Sequence, residues 1–299
     1  MRGLLVVNAF LNTKQTEDTY DLLLAGAKRA GIQMELVTNA QFFTDAGDGH
    51  VESDIPGFYE MAYDFILFWN KDVFLGRALE RMGYRLYNSA DAIEACDNKA
   101  VTFERLEGVC RTPRTIKVPM TFNNVGYDDL SFEEYLGNRL GYPYVIKECL
   151  GSYGGQVYLA NDSESARRIL KDIEGRDCLA QEFISSSSGR DIRAYVVGRR
   201  VVAAMERVND NDFRSNIANG GRAVAHRVTK EQEEMAVLAT EKLGLDFAGV
   251  DLLIGEGGEP ILCEVNSNAQ FRGLLNATGI DITDELFAYI SSGLNTCKY

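Results

Sequence analysis

Two apolar runs close to the C-terminus constrain this chain most. Phe247-Ala248-Gly249-Val250-Asp251-Leu252-Leu253-Ile254 and Ile261-Leu262-Cys263 are each strand-like, and Gly255-Glu256-Gly257-Gly258 lies between them as a turn, so the pair reads as a β-hairpin. The second run continues into Glu264-Val265-Asn266. Alternate residues on a strand point to one side, so Glu264 and Asn266 project together while Val265 turns into a core. The first run carries a solitary carboxylate, Asp251, among aliphatic residues. Taken singly, such groups more often serve as polar strand ends with local turn bonds. Three of them on one hairpin are a stronger signal. Two carboxylates and an amide oxygen are hard donors suited to Mg²⁺, which fills the rest of its octahedron with water and phosphate oxygens.

The 299 residues are enough for a large core shared by two or three subdomains. At 45% hydrophobic and 25% charged, the composition is that of an ordinary soluble protein. A net charge of -13, with no long Lys/Arg run, argues against a general binder of nucleic acid or anionic membrane. Cys96, Cys110, Cys149, Cys178, Cys263 and Cys297 are scattered without a Cys-x-x-Cys pair. That is the pattern of buried thiols in a reducing compartment, not of a disulfide frame or zinc site, and a cytoplasmic location is expected. With only His50 and His226 in the chain, histidine-based metal or triad chemistry is not expected. Leu4–Val7 is too short for a signal peptide or a membrane span.

Residues 1–95 alternate strand and helix patterns, the mark of an α/β layer. Strands are expected at Gly3–Ala9, Gln33–Thr38, Asp64–Trp69 and Tyr84–Asn88, with helices at Thr16–Ala30 and Val73–Met82. Asn8 and Asn12 flank the end of the first strand, where open α/β sheets hold ligands. Phe10, Tyr20, Trp69 and Asn70 are candidates for the same crevice, although core packing explains most aromatics. Short helices follow at Ser89–Ala95 and Asp97–Leu106, the second carrying Lys99 in its first turn. Pro113–Val118 reads as an edge segment, and Ser131–Leu140 as a helix with Ser131 as N-cap and Glu134 closing a capping box.

Tyr144–Glu148 then reads as a strand that brings up Lys147, followed by a Gly-rich hairpin turn containing Ser152 and Gly154 and by a returning strand. Glycines let backbone N–H groups approach phosphate oxygens, and an ammonium on an apolar strand needs an anionic partner. The segment is not a P-loop, since no Gly-x-x-x-x-Gly-Lys-Ser/Thr occurs. Asp162–Ile173 is a helix whose Arg167, Arg168 and Lys171 form a solvated face, and Cys178–Ile184 is a strand. Asp191–Val197 and Arg200–Arg207 form a hairpin that places Asp191, Arg193, Glu206 and Arg207 among apolar residues, as in a lined cleft or an exposed sheet face. The loop Asp212–Asn216 and Asn219–Arg222 sets Arg214 beside Ser215 and Asn216, a combination suited to a transferring phosphoryl group. Thr229–Leu243 is a helix capped by Thr229 and Gln232, and Gln270–Ala277 and Thr283–Leu294 are terminal helices.

In this order the elements resemble the ATP-grasp superfamily, and within it the RimK-like amino-acid ligases, over roughly residues 85–290. The resemblance rests on Asp97-Asn98-Lys99, on Asp191-Ile192-Arg193 with Val201–Arg207, on Asp212–Asn216 with Gly220-Gly221, and on Gly249-Val250-Asp251 with Glu264-Val265-Asn266-Ser267. It implies an α/β (α+β) ATP-grasp fold in three parts. These are an N-terminal parallel α/β subdomain (1–95), a central lid subdomain (96–184) and a C-terminal antiparallel-sheet subdomain with the Mg²⁺ site (185–299), ATP lying between the last two. It further implies that Lys99 and Lys147 meet the α- and β-phosphates, with Ser152 and Gly154 in the lid. Gln181, Glu182, Phe183 and Ile184 would form the strand that recognises adenine and ribose. Asp191 is similar to a nucleotide-contacting position, Arg193 and Arg207 would face the cleft, and Arg214, Ser215 and Asn216 would contact the γ-phosphate or an acyl phosphate. Asp251, Glu264 and Asn266 would hold Mg²⁺, with Mn²⁺ expected to substitute.

The activity so implied is ATP- and Mg²⁺-dependent ligation of an amine, a glutamate-like amino acid by the resemblance, to a carboxylate of a protein, peptide or small molecule, with release of ADP and phosphate. The catalytic groups would be Lys147, Arg193 and Arg214. A carboxylate acylates poorly because oxide is its leaving group, whereas an acyl phosphate is open to attack by an amine, and phosphoryl transfer needs positioning and charge neutralisation above all. The partners implied are ATP, a carboxylate acceptor and an amino-acid or other amine donor, without nucleic acid or membrane, in a homo-oligomer. A catalytically silent ATP-binding sensor, a peptide-modifying or macrocyclising ligase and an ATP-grasp kinase are the alternatives. Two positions depart from the family pattern: Gln156 stands where the lid often has Gly, and Asn268-Ala269-Gln270-Phe271-Arg272 where Ser-Pro-Gly often follows the metal motif.

Overall fold

Leu4–Val7 are buried on both faces, which fits a strand in the middle of a parallel sheet covered on two sides. The computed structural model describes residues 1–47, 49–122, 125–151, 154–217 and 220–296. Its first part contains β1 (Arg2–Val7), α1 (Lys14–Arg29), β2 (Gln33–Thr38), β3 (Phe42–Thr44), β4 (Val51–Ser53), β5 (Phe65–Trp69), α2 (Val73–Arg81), β6 (Leu86–Tyr87) and α3 (Ala90–Asp97). The strand order β2-β1-β5-β6 is parallel throughout, as the alternation predicts. Thr13, not a later residue, opens α1 through a reciprocal capping box with Thr16. The small antiparallel ribbon β3–β4 is too short to leave a sequence pattern.

The second part contains α4 (Lys99–Arg105), β7 (Thr115–Lys117), α5 (Phe132–Leu140), β8 (Tyr144–Glu148), β9 (Val157–Ala160), α6 (Ser163–Asp172) and β10 (Cys178–Glu182). Its antiparallel sheet has the order β7-β10-β8-β9, so β7 is an edge strand as expected. The cap assigned to α5 is corrected. Ser131 sits in the helical region and makes no side-chain cap, and its N–H and hydroxyl both donate to Asp129 instead. The solvated face assigned to α6 is also corrected at Arg167. Its guanidinium pairs with Glu133, a fully buried carboxylate that also accepts from Tyr142, Tyr144 and Ser163.

The third part contains β11 (Arg190–Val197), β12 (Arg200–Val208), β13 (Arg222–Ala225), α7 (Lys230–Lys242), β14 (Phe247–Ile254), β15 (Pro260–Asn266), α8 (Arg272–Thr278) and α9 (Ile282–Thr296). The order β13-β12-β11-β14-β15 is antiparallel, and the β14–β15 hairpin forms as the sequence predicts. Asp251 stands opposite Glu264, but the register shifts between Asp251 and Leu252, which faces Leu262. Cys263 is the extra residue of this bulge. A bulge puts neighbouring residues toward one side, so Cys263 lines a cleft and not the core assumed from its apolar run.

The cores show how the parts are joined. Leu5, Phe65 and Trp69 of the first sheet share one core with Tyr195, Phe247, Phe271 and Phe287, and Trp69 stacks on Phe247 with ring centroids 5.6 Å apart. A second core lies under α7 and includes Cys96 and Leu106. The core of the middle sheet draws only on residues 116–180. Its chain enters and leaves beside one hairpin: Leu262 N–H donates to Arg111 O (2.8 Å), and the Ser186 hydroxyl donates to Ile254 O (2.8 Å). The five described cysteines are free thiols, and among the described residues no helix is long and apolar enough to cross a membrane.

Candidate active site

Opposed residues of an antiparallel pair share a sheet face. Asp191 on β11 opposes Arg207 on β12, Arg193 opposes Asp251 on β14, and Asp251 opposes Glu264 on β15. Asp191 and Arg193 are two apart on one strand, so a row of charged residues crosses four strands on one face. Arg207 is 3% exposed and shared: its Nε donates to Asp191 (2.7 Å) and its guanidinium lies 2.9 Å from Asp251. Arg193 forks onto the two oxygens of Asp251 at 2.7 and 2.6 Å. Burial opposes ionisation of Asp251, but the guanidiniums of Arg193 and Arg207 outweigh it and hold this carboxyl below the ordinary range. Burial likewise opposes the charge on Arg207, yet Asp251 and Asp191 raise its pKa.

The face fronts a cleft of about 890 Å³, open solvent included, closed on the other side by the middle sheet. Lys147 reaches it from β8, and among the described residues no carboxylate lies within 4.0 Å of its ammonium; its polar contact is Cys263 Sγ at 3.7 Å. Burial pushes the Cys263 thiol up, with Lys147 opposing. Lys99 is only 8% exposed. Its Nζ donates to Gly151 O (3.2 Å) and lies 3.5 Å from Glu264. Arg214 donates to Gly154 O (2.8 Å) and pairs with Asp212, whose carboxyl is lowered by that bond.

Gly154, Gln181, Glu182, Phe183, Ile184, Ser215 and Asn216 line the same cleft. Ser152 lies outside the described residues. Gln181 donates to Thr115 Oγ1 (2.8 Å), and its Oε1 is buried without a partner. Glu182 is exposed and accepts from Arg114 N–H (3.2 Å). Sequence reasoning missed the apolar wall formed by Val145, Val157 and Leu253. Val145 is two residues before Lys147 and Leu253 two after Asp251, so strand alternation carried the signal. Ser187 is buried, and its hydroxyl bonds both backbone groups of Ile254.

Asn266 sits next to this cleft, not in it, lining a second hollow of about 1440 Å³ with open solvent. Its Nδ2 contacts Gly249 O at 3.4 Å, which leaves its amide oxygen as the donor atom for a ligand. Gly151, Asn216 and Glu264 line both spaces. Asn8, Phe10, Tyr20, Trp69 and Asn70 line the hollow as the crevice residues predicted, whereas Asn12 folds back onto Ala9 O. Asn268 and Gln270 line it too. Among the described residues no group of three or more His, Cys, Asp or Glu side chains is gathered as a metal cage. The donor set consists instead of two opposed carboxylates and one amide, which fits a hard cation completed by phosphate oxygens. A buried, uncompensated Lys147 and an unpartnered Gln181 oxygen fit a polyanionic ligand with a hydrogen-bonding head.

The RimK-like ATP-grasp domain family matches residues 105–290. Human N-acetylaspartylglutamate synthase A is 34% identical over 228 residues, which is 75% of this chain but 56% of that protein, so the chain spans little more than half the length of this relative. A probable alpha-L-glutamate ligase of Alkalilimnicola ehrlichii is 37% identical over 225 residues, 74% of this chain and 72% of that protein. The structure of the ATP-grasp ligase PsnB complexed with minimal precursor, Mg and ADP superposes with a TM-score of 0.71 at 15% identity, covering 98% of each chain. At that identity the likeness is one of fold.

Proposed function

Since this chain belongs to the RimK-like ATP-grasp family, we propose that it is an ATP- and Mg²⁺-dependent carboxylate–amine ligase that releases ADP and phosphate. The observation that carries this reading is Lys147, a nearly buried ammonium without a described carboxylate partner, facing the charged row of the third sheet across one cleft. When bound, ATP supplies the phosphoryl group that converts a carboxylate to an acyl phosphate, and Mg²⁺ neutralises the phosphate charge.

The protein's part is positioning and charge. Lys99 and Lys147 bind the phosphates. Val145, Val157 and Leu253 wall the slot for the adenine, with the Gln181 oxygen turned to its amino group. Glu182, Phe183, Ile184, Asp191, Arg207, Ser215 and Asn216 complete the nucleotide site. Arg214, tied to Gly154 of the glycine turn, closes the site over the reacting phosphate and excludes water. Asp251, Glu264 and Asn266 would hold Mg²⁺, and Mn²⁺ would substitute for it. The adjoining hollow receives the carboxylate and the amine, and we take a glutamate-like amino acid as the amine because the similar proteins include an N-acetylaspartylglutamate synthase and a probable alpha-L-glutamate ligase. The proposal includes division at 1–95, 96–184 and 185–299, a cytoplasmic location and a homo-oligomer.

Purified protein given ATP, Mg²⁺ and a panel of amino acids against carboxylates should release ADP and phosphate with one pair. Release of AMP would exclude this chemistry. Asp251→Ala and Glu264→Ala should each abolish turnover.

A further inference from the structure

Two arginines hold Asp251, and they are held differently themselves. Arg207 is enclosed, its guanidinium divided between Asp191 and Asp251 and its side chain 3% exposed. Arg193 spends both prongs on Asp251, and its side chain is 12% exposed. Its stem crosses Gly249, the residue opposite Asn266, and it lines the second hollow while Asp251 lines the first cleft. Arg193 therefore bridges the two spaces. The hollow's other described cation, Lys71, pairs with Asp97, and Lys99, which lines the first cleft, lies between Gly151 O and Glu264.

A carboxylate whose two oxygens already accept a two-pronged fork and a further guanidinium has fewer lone pairs left for a dication, and the dication repels the adjacent guanidinium. We propose that Arg193 is an exchangeable partner of Asp251. It leaves the carboxylate when Asp251 takes metal and turns into the second hollow, where it supplies the unpaired cation that holds the substrate carboxylate. Arg207 keeps Asp251 in place through the exchange. The substrate carboxylate is thus bound after the metal–nucleotide, a linkage that rests on the ligase reading above and adds an order of binding to it.

Mn²⁺ affinity at saturating ADP, read by electron paramagnetic resonance, tests the exchange without a carboxylate substrate. Arg193→Met removes the fork and the charge, whereas Arg193→Lys keeps the charge without the fork. Both variants should bind Mn²⁺ about tenfold or more tightly than wild type, a change equivalent to about 1.4 kcal/mol. Tightening in the Met variant alone would reduce the effect to through-space repulsion and overturn the exchange, as would unchanged or weaker binding in both. In the unsubstituted protein, labelling of Arg193 by an arginine-specific glyoxal reagent should rise when Mn²⁺ and ADP are added. No rise overturns the proposal even if the variants fail to fold. Wild-type protein that retains no Mn²⁺ with ADP would instead sink the ligase reading, and this proposal with it.

Discussion

Asn88 is fully buried and makes four hydrogen bonds to the third sheet. Its Nδ2 donates to Phe247 O and Ser267 O (both 3.0 Å), and its Oδ1 accepts from Asp246 N–H (2.6 Å) and Phe247 N–H (3.2 Å). Asn88→Ala strands backbone groups that water cannot reach, so we expect a loss of about 3–5 kcal/mol, measured by denaturant unfolding. Nothing in the sequence marks this asparagine, because its role exists only once two distant segments meet. Neighbouring Asp246 is buried against Arg85 (2.6 Å) and the Tyr289 hydroxyl (2.9 Å). Burial raises its pKa, with Arg85 and Tyr289 opposing. A raised carboxyl binds its proton more tightly in the folded state than in the unfolded one, so its contribution is greatest below about pH 4 and is lost as pH rises through the folded-state value. The stability of wild type relative to Asp246→Asn should therefore fall over that window and level off above it, which melting temperatures at stepped pH will show. Lys147, by contrast, was legible, since an ammonium on an apolar strand asks for an anion. Lys147→Met should lower turnover by roughly a hundredfold or more, measured as ADP release, with the fold retained.

At the scale of elements, the periodic patterns are what the sequence reveals well. The strands and helices of the first part lie within a few residues of their predicted bounds because each buries a regular stripe. Caps divide into two kinds. Thr229 caps α7 as read, accepting from Gln232 N–H (3.2 Å) while Gln232 Oε1 returns to Thr229 N–H (3.0 Å). Thr229→Ala should cost about 1 kcal/mol, seen as a lower melting temperature. Ser131 offered the same letters, but Asp129 two residues earlier took its hydrogen bonds. The bulge at Cys263 was equally hidden, since one extra residue in a ladder leaves the local sequence unchanged. In the glycine turn, a Cβ on Gly151 would lie 2.5 Å from Gln156 Oε1, and that oxygen is buried without a partner. Gln156 thus fills the space left by a residue with no side chain, the physical counterpart of its departure from the family pattern.

For the whole molecule, the three-sheet arrangement could be read from the order of its elements, whereas the way the sheets share cores could not. The first and third sheets are joined through Trp69, Phe247 and Phe271, and the middle sheet has a core of its own. The chain enters it from Arg111 and leaves it at Ser186, and both of these residues bond the hairpin that carries Asp251 and Glu264. The hairpin that receives both ends of the middle part also carries Asp251 and Glu264, so any change in how the middle sheet sits on it would alter the distance from Lys147 to Asp251 and leave that carboxylate pair in place.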